Sequence, residues 1–233
     1  MSLAAGACHM RVSRVIDSVA RRSRVEHNDE PSTVLLIRHA HTEAIDRSRL
    51  CGREPGITLS GTGVLQAEAL GIALKGIAAL SAVYSSPLER AQATAQAIAR
   101  HQRAPVHVCD ALIEIDFGAW TGKTFAELEA DPAWRLFNRA RAAAIIPGGE
   151  TPCAVQQRVV AAVANLAAQH RGGTIALVSH AEIVRFALLR YLGSSLDRYH
   201  DVDIAPASVS AVQLSAAGIA VLFVNRPAAA LHP

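Results

Sequence analysis

Apolar and polar positions along the chain fall into two alternating rhythms. Short apolar runs, Val34-Leu35-Leu36-Ile37 and Ile175-Ala176-Leu177-Val178 among them, have the length of strands buried on both faces. Between such runs the apolar residues recur at helical spacing. The pattern predicts strands over 33–37, 82–85, 105–109 and 174–179, and helices over 62–76, 88–102, 152–170 and 181–192. Two further strands, 208–214 and 219–224, are joined by Ser215-Ala216-Ala217-Gly218 as a hairpin. Glu43 to Ser60 reads as a polar loop, and Pro87 as a first-turn residue of its helix. The stretch 111–150 is irregular, with short helical patterns near 125–129 and 132–142 and a turn at Pro147-Gly148-Gly149-Glu150.

Alternation of strand and helix implies an α/β domain, a three-layer α/β/α sandwich around a mostly parallel central sheet. The domain is expected over 33–225, with a tail over 226–233. Residues 1–32 differ from the rest. Val12, Val15, Ile16 and Val19 recur among arginines, the pattern of a loose amphipathic helix or a flexible extension.

Composition narrows the function. Half of the 233 residues are apolar, which excludes a disordered chain. The net charge of +3 comes from 21 arginines and two lysines, with no basic block interleaved with aromatics, so no nucleic-acid partner is expected. Four scattered cysteines without a CxxC pair suit free thiols and a cytoplasmic setting. No apolar run reaches the roughly 18 residues of a membrane span, so no stable membrane association is expected. A homodimer is left open.

The chemistry gathers where strands end. The first strand runs into Arg38-His39-Ala40-His41-Thr42, and the strand at 174–179 into His180. In an open α/β sheet, ligands collect beyond the carboxyl ends of the strands. Parallel central strands would bring both imidazoles into one crevice. Arg90 lies in the first turn of a helix that also follows a strand. Two arginines, two histidines and helix amides suit a tetrahedral dianion.

Four stretches then resemble one family in order. Arg38-His39-Ala40-His41-Thr42 is similar to the Arg-His-Gly-x-Thr signature of the histidine phosphatase, or phosphoglycerate mutase-like, superfamily. Ser85 to Ala95, Leu112-x-Glu114-x-x-x-Gly118-x-x-x-Gly122 and Val178-Ser179-His180-Ala181 follow at the spacing that the family shows. The resemblance covers about residues 33–225. It implies a phosphoglycerate mutase-like fold, and His39 as a nucleophile that forms a phosphohistidine. It makes Arg38, Arg90 and His180 the groups that hold the phosphoryl oxygens, with Thr42, Arg53 and Ala181 as further substrate contacts. Glu114 becomes the proton donor to the leaving oxygen. The implied activity is a metal-independent phosphomonoesterase, resembling a histidine acid phosphatase, that needs no cofactor and acts on a small phosphorylated metabolite. Alternatives are mutase-type phosphoryl transfer and a non-catalytic phospho-ligand-binding domain.

Physical chemistry sets conditions on this assignment. His39 must be neutral to attack, and Arg38, Arg90 and a positively charged His180 would all disfavour its protonation. Glu114 must carry a proton, which burial would provide. Departures from the family pattern are Ala40 and Ala181 where glycine is usual, and Ile45 where asparagine often contacts phosphate. His41, Thr42 or Arg53 would have to replace that contact. Two decoys remain. His39-x-His41 resembles half of a metal site, and Gly118 to Thr124 falls one residue short of a nucleotide-binding loop. Asp116 is the reserve acid.

Overall fold

The computed structural model describes residues 30–77 and 79–231. The extension expected over 1–32 therefore lies, up to residue 29, outside the described residues. Six strands form a single sheet: β1 (Ser32–Arg38), β2 (Leu80–Ser85), β3 (Val106–Val108), β4 (Thr174–Ser179), β5 (Val209–Ser215) and β6 (Gly218–Arg226). Their order is β3-β2-β4-β1-β5-β6. Only β5 runs against its neighbours, so the sheet is mixed with parallel pairing across its centre.

Strand β1 shows why the centre is built this way. Val34 and Leu36 enter one apolar layer and Leu35 and Ile37 the other, all of them buried. A strand apolar on both faces is stable only between two layers of helix. Helices α2 (Gly61–Lys75) and α3 (Glu89–Gln102) cover the face of Leu35 and Ile37. Helices α6 (Pro152–Gln169) and α7 (Ala181–Tyr191) cover the other. Burying such side chains is worth roughly 2 kcal/mol each.

The short helices α1 (Glu43–Asp46), α4 (Phe125–Leu128) and α5 (Pro132–Arg139) belong to the loops above the sheet. Helix α1 lies in the stretch expected to be loop. Pro87 falls just before Leu88, the N-cap of α3, so it ends the entry loop and is not a first-turn residue. The reading of residues 226–233 as a tail also changes. Arg226 is the last residue of β6, and Leu231 beyond it is buried in the α2–α3 layer. Glu127 and Asp131 are helix caps. Glu127 completes a capping box with Thr124, and Asp131 starts α5 and accepts from Trp120 Nε1 at 2.8 Å. Among the described residues no helix is long and apolar enough to cross a membrane.

Candidate active site

Parallel pairing puts two strand ends side by side. Arg38 stands opposite Ser179 in the β1–β4 register, and the His39 backbone N–H donates to the Ser179 carbonyl at 2.8 Å. The next residue on each strand is a histidine. Their rings meet edge to face with centroids 5.2 Å apart. Both are buried, His39 at 6% exposure and His180 at 0%.

His39 has its orientation fixed by its own neighbour. Nδ1 lies 2.7 Å from the Ala40 carbonyl oxygen. A carbonyl can only accept, so Nδ1 carries the proton and the Nε2 lone pair is free to attack. Ala40 has a negative φ, so its methyl is accommodated without strain, and its N–H donates to Thr94 Oγ1 at 3.1 Å. Burial first, then the Arg90 and Arg38 guanidiniums, hold the His39 pKa well below its ordinary 6.5.

His180 departs from expectation. Burial and the same guanidiniums hold its pKa well below 6.5 too, so it is a neutral ring and not a cation. Its Nε2 lies 2.7 Å from Ser86 Oγ, which itself accepts from the Leu88 backbone N–H at 3.3 Å. Ser86 Oγ keeps a second lone pair as well as its proton, so the direction of this bond is set by the His180 tautomer; when the hydroxyl donates, the ring's own proton sits on Nδ1. Ser86 is placed there because its backbone N–H continues the β2–β4 ladder, donating to the Val178 carbonyl at 2.9 Å.

Two arginines complete the clamp. Arg38 Nη1 donates to the Ile204 carbonyl at 2.6 Å, and Arg90 Nη2 to the Gly52 carbonyl at 2.7 Å. One bond each anchors the guanidiniums and leaves nitrogens over. Arg38 Nε, Arg90 Nη1 and His180 Nδ1 are buried without a protein partner. Unpaired buried donors are costly, and two guanidinium nitrogens beside one nucleophile, joined by His180 Nδ1 in the tautomer that protonates it, describe a receptor for an anion.

Glu114 sits in the loop after β3, 8% exposed, with Oε1 accepting from the Ile115 N–H at 2.9 Å. Its pKa is raised to about 7, by burial first and then by the Glu182 carboxylate, against the opposing pull of Arg90 and Arg38. It is an acid that still holds its proton in about half of the molecules at neutral pH. The backbone under it is braced. Arg53 Nε donates to the Glu114 carbonyl at 2.7 Å, and Arg158 Nη1 to the carbonyls of Ala111 and Ile113. Glu150 ties both arginines together at 2.7 and 3.0 Å.

Arg38, His39, Thr42, Arg90, Glu114 and Ala181 all line one cavity of about 280 Å³. Arg53, expected as a substrate contact, is not among the residues that line this cavity; it braces the backbone under Glu114. Asp116, the reserve acid, also lies off the cavity, its Oδ1 accepting from the Gly118 N–H. His41 is turned away, with Nδ1 2.9 Å from Ser60 Oγ and Nε2 3.1 Å from Asp46. It forms no metal pair with His39. Of the three substitutes considered for the missing asparagine, only Thr42 reaches the cavity, beside Ile45 itself. Gly63 has a packing role, since a methyl there would collide with the His41 carbonyl. The Gly118 turn is a single 3-10 turn and not a nucleotide loop.

Sequence reasoning missed Glu182, Arg185 and Tyr199, which line the cavity opposite α1. Glu182 accepts from Arg141, Arg185 and Tyr199. Its signal was available: it stands two residues past His180, in the first turn of α7, with Arg185 one turn on.

Comparison with known proteins agrees with this geometry. A mycobacterial protein described as bifunctional, from Mycobacterium tuberculosis, is 35% identical over 190 residues, 81% of this chain and 52% of its own. The chain thus spans about half the length of that relative. Phosphoserine phosphatase 1 of Hydrogenobacter thermophilus is 31% identical over 186 residues, covering 78% of this chain and 86% of that protein. The solved structure of Bacillus stearothermophilus YhfR superposes with a TM-score of 0.77 at 28% identity, over 82% of this chain and 96% of that one. The sequence profile of the histidine phosphatase superfamily (branch 1) matches residues 34–227. With β1 and β4 setting His39 and His180 ring against ring at one cavity, which His39 lines and His180 backs from the buried side, the chain belongs to the histidine phosphatase superfamily.

Proposed function

We propose that this chain is a phosphomonoesterase acting on a small phosphorylated metabolite without a metal or a cofactor. The observation that carries the reading is the trio of unpartnered buried nitrogens beside a histidine whose Nε2 lone pair is free. A phosphoryl group accepting from Arg38 Nε, Arg90 Nη1 and His180 Nδ1 has its charge neutralised by guanidiniums and a neutral donor. His39 Nε2 then attacks phosphorus as the bond to the ester oxygen breaks, and Glu114 passes its proton to that oxygen. In the second half, the Glu114 carboxylate takes a proton from water as the water attacks the phosphohistidine. The N–P bond breaks, inorganic phosphate leaves, and Glu114 is protonated again.

Hydrolysis is favoured over transfer to a second metabolite by the shortness of the 122–149 stretch, which leaves the cavity mouth open to water. Free thiols at Cys51, Cys109 and Cys153 suit a reducing, cytoplasmic compartment.

The test is hydrolysis of p-nitrophenyl phosphate in excess chelator, with vanadate as inhibitor and alkaline-stable, acid-labile label trapped on the protein. His39→Ala should keep less than about 1% of the rate, the size of effect expected for removing a nucleophile. A variant that retains more than a few per cent overturns the nucleophile. Binding of phosphate with no turnover at all would make the chain a phospho-ligand-binding domain.

A further inference from the structure

The cavity lining is not all polar. Besides the residues of the phosphate clamp, it includes Ile45, Leu50, Ile57 and Phe125. Ile45 is on α1 and holds the place where the family pattern has a polar residue. Phe125 opens α4 and is 43% exposed, yet it is not free to swing away. Its ring stacks on buried Trp134, with centroids 6.0 Å apart and planes 17° from parallel. An exposed aromatic stacked in place in a cavity lining is surface that a ligand can cover at little cost in entropy.

The other cations that line the cavity, Arg49 and Arg185, are already engaged. Arg49 is held by Glu54 at 2.7 Å, and its Nε donates to the Gly122 carbonyl at 2.9 Å. Arg185 donates through Nε to the Val202 carbonyl at 2.7 Å and through Nη1 to Glu182 at 3.3 Å. The Tyr199 ring is covered by the guanidiniums of Arg141 and Arg185, at 3.1 and 3.8 Å from its centroid. Of the four arginines that line the cavity, only Arg38 and Arg90 carry unpartnered buried nitrogens. A carboxylate on the alcohol part of a substrate would have to displace Glu54 or Glu182, whereas an apolar ring would cover Phe125 and Ile45 at no such cost.

We propose that the site selects phosphomonoesters of an apolar, ring-bearing alcohol over those of a carboxylate-bearing one, with Phe125 and Ile45 as the selecting residues. This deepens the reading of the cavity as a phosphomonoester site and rests on it. Preference is read from binding, so that it does not depend on turnover. 1-Naphthyl phosphate, phosphoserine and inorganic phosphate are each titrated calorimetrically into the His39→Asn protein. Naphthyl phosphate should bind at least tenfold more tightly than phosphoserine. In the same background Phe125→Ala and Ile45→Asn should each shrink that ratio about fivefold, while Phe125→Leu keeps most of it. Phosphoserine binding as tightly as naphthyl phosphate overturns the proposal, as does a ratio unchanged in both Phe125→Ala and Ile45→Asn. Hydrolysis of both esters by the unmutated protein is followed in parallel. A naphthyl preference in binding without His39-dependent turnover would refute the phosphatase reading and uphold this one.

Discussion

The protonation of Glu114 sets a measurable ceiling on the pH at which the site works. At the ordinary 4.5, about one hundredth of the carboxyl would be in acid form at pH 6.5; at about 7, roughly three quarters is. Burial and the Glu182 carboxylate therefore raise the competent fraction roughly seventyfold. The sign follows directly. The acid form is required, so kcat/KM should hold below pH 7 and fall about tenfold per unit above it, to roughly a hundredth at pH 9. His39, held well below 6.5, stays neutral over the whole range and adds no limb there. The assay is kcat/KM for an aryl phosphate from pH 6.5 to 9, above its own second ionisation near about 6. Glu114→Gln should be slow and flat across that range. Glu182→Gln keeps an acceptor for Arg141 and Tyr199 but removes the charge, so its limb should start at lower pH. A profile flat to pH 9, or a limb that survives in Glu114→Gln, refutes the assignment.

Three further outcomes follow from the geometry. Ser86→Ala leaves His180 Nε2 and the Leu88 N–H without a partner; kcat should fall about 10- to 100-fold, with Ser86→Thr restoring most of it, and a loss under twofold would remove Ser86 from the site. Glu150→Ala frees Arg53 and Arg158 from each other, which should cost about 1–2 kcal/mol in urea unfolding and lower kcat more than it raises KM. Arg103 ends α3 with φ of 55° and is exposed, so Arg103→Gly should stabilise the fold by roughly 1 kcal/mol in thermal or urea unfolding; no gain would show that the left-handed cap is not strained.

Much of this site could be read from the chain because its chemistry sits at element boundaries. His39 and His180 follow apolar runs whose patterning marks both as central strands, and Arg90 follows a strand–helix junction. What could not be read depends on distance along the chain or on solvent. Arg53 looked like a substrate ligand because the residue that claims it, Glu150, lies 97 positions away. His180 looked like a cation because nothing in the sequence reports that it is wholly desolvated. Helix α1 was missed because four residues are too few to show a helical period. Ile45 was recognised as a departure, but its place in a cavity lining shared with Phe125, 80 residues on, could not be read from the chain.

The sheet order has a consequence for how the protein comes into being. Strand β1 is flanked by β4 and β5, so neither of its edges has a partner until residues 174–214 have been synthesised. A ribosome-bound chain thus carries a strand with four consecutive apolar residues unpaired through most of translation, prone to sticking to other chains. Such long-range closure also slows spontaneous refolding. The nucleophile is made early and armed late: His39 meets its clamp only when β4 docks, so prematurely terminated chains should be inert as well as insoluble.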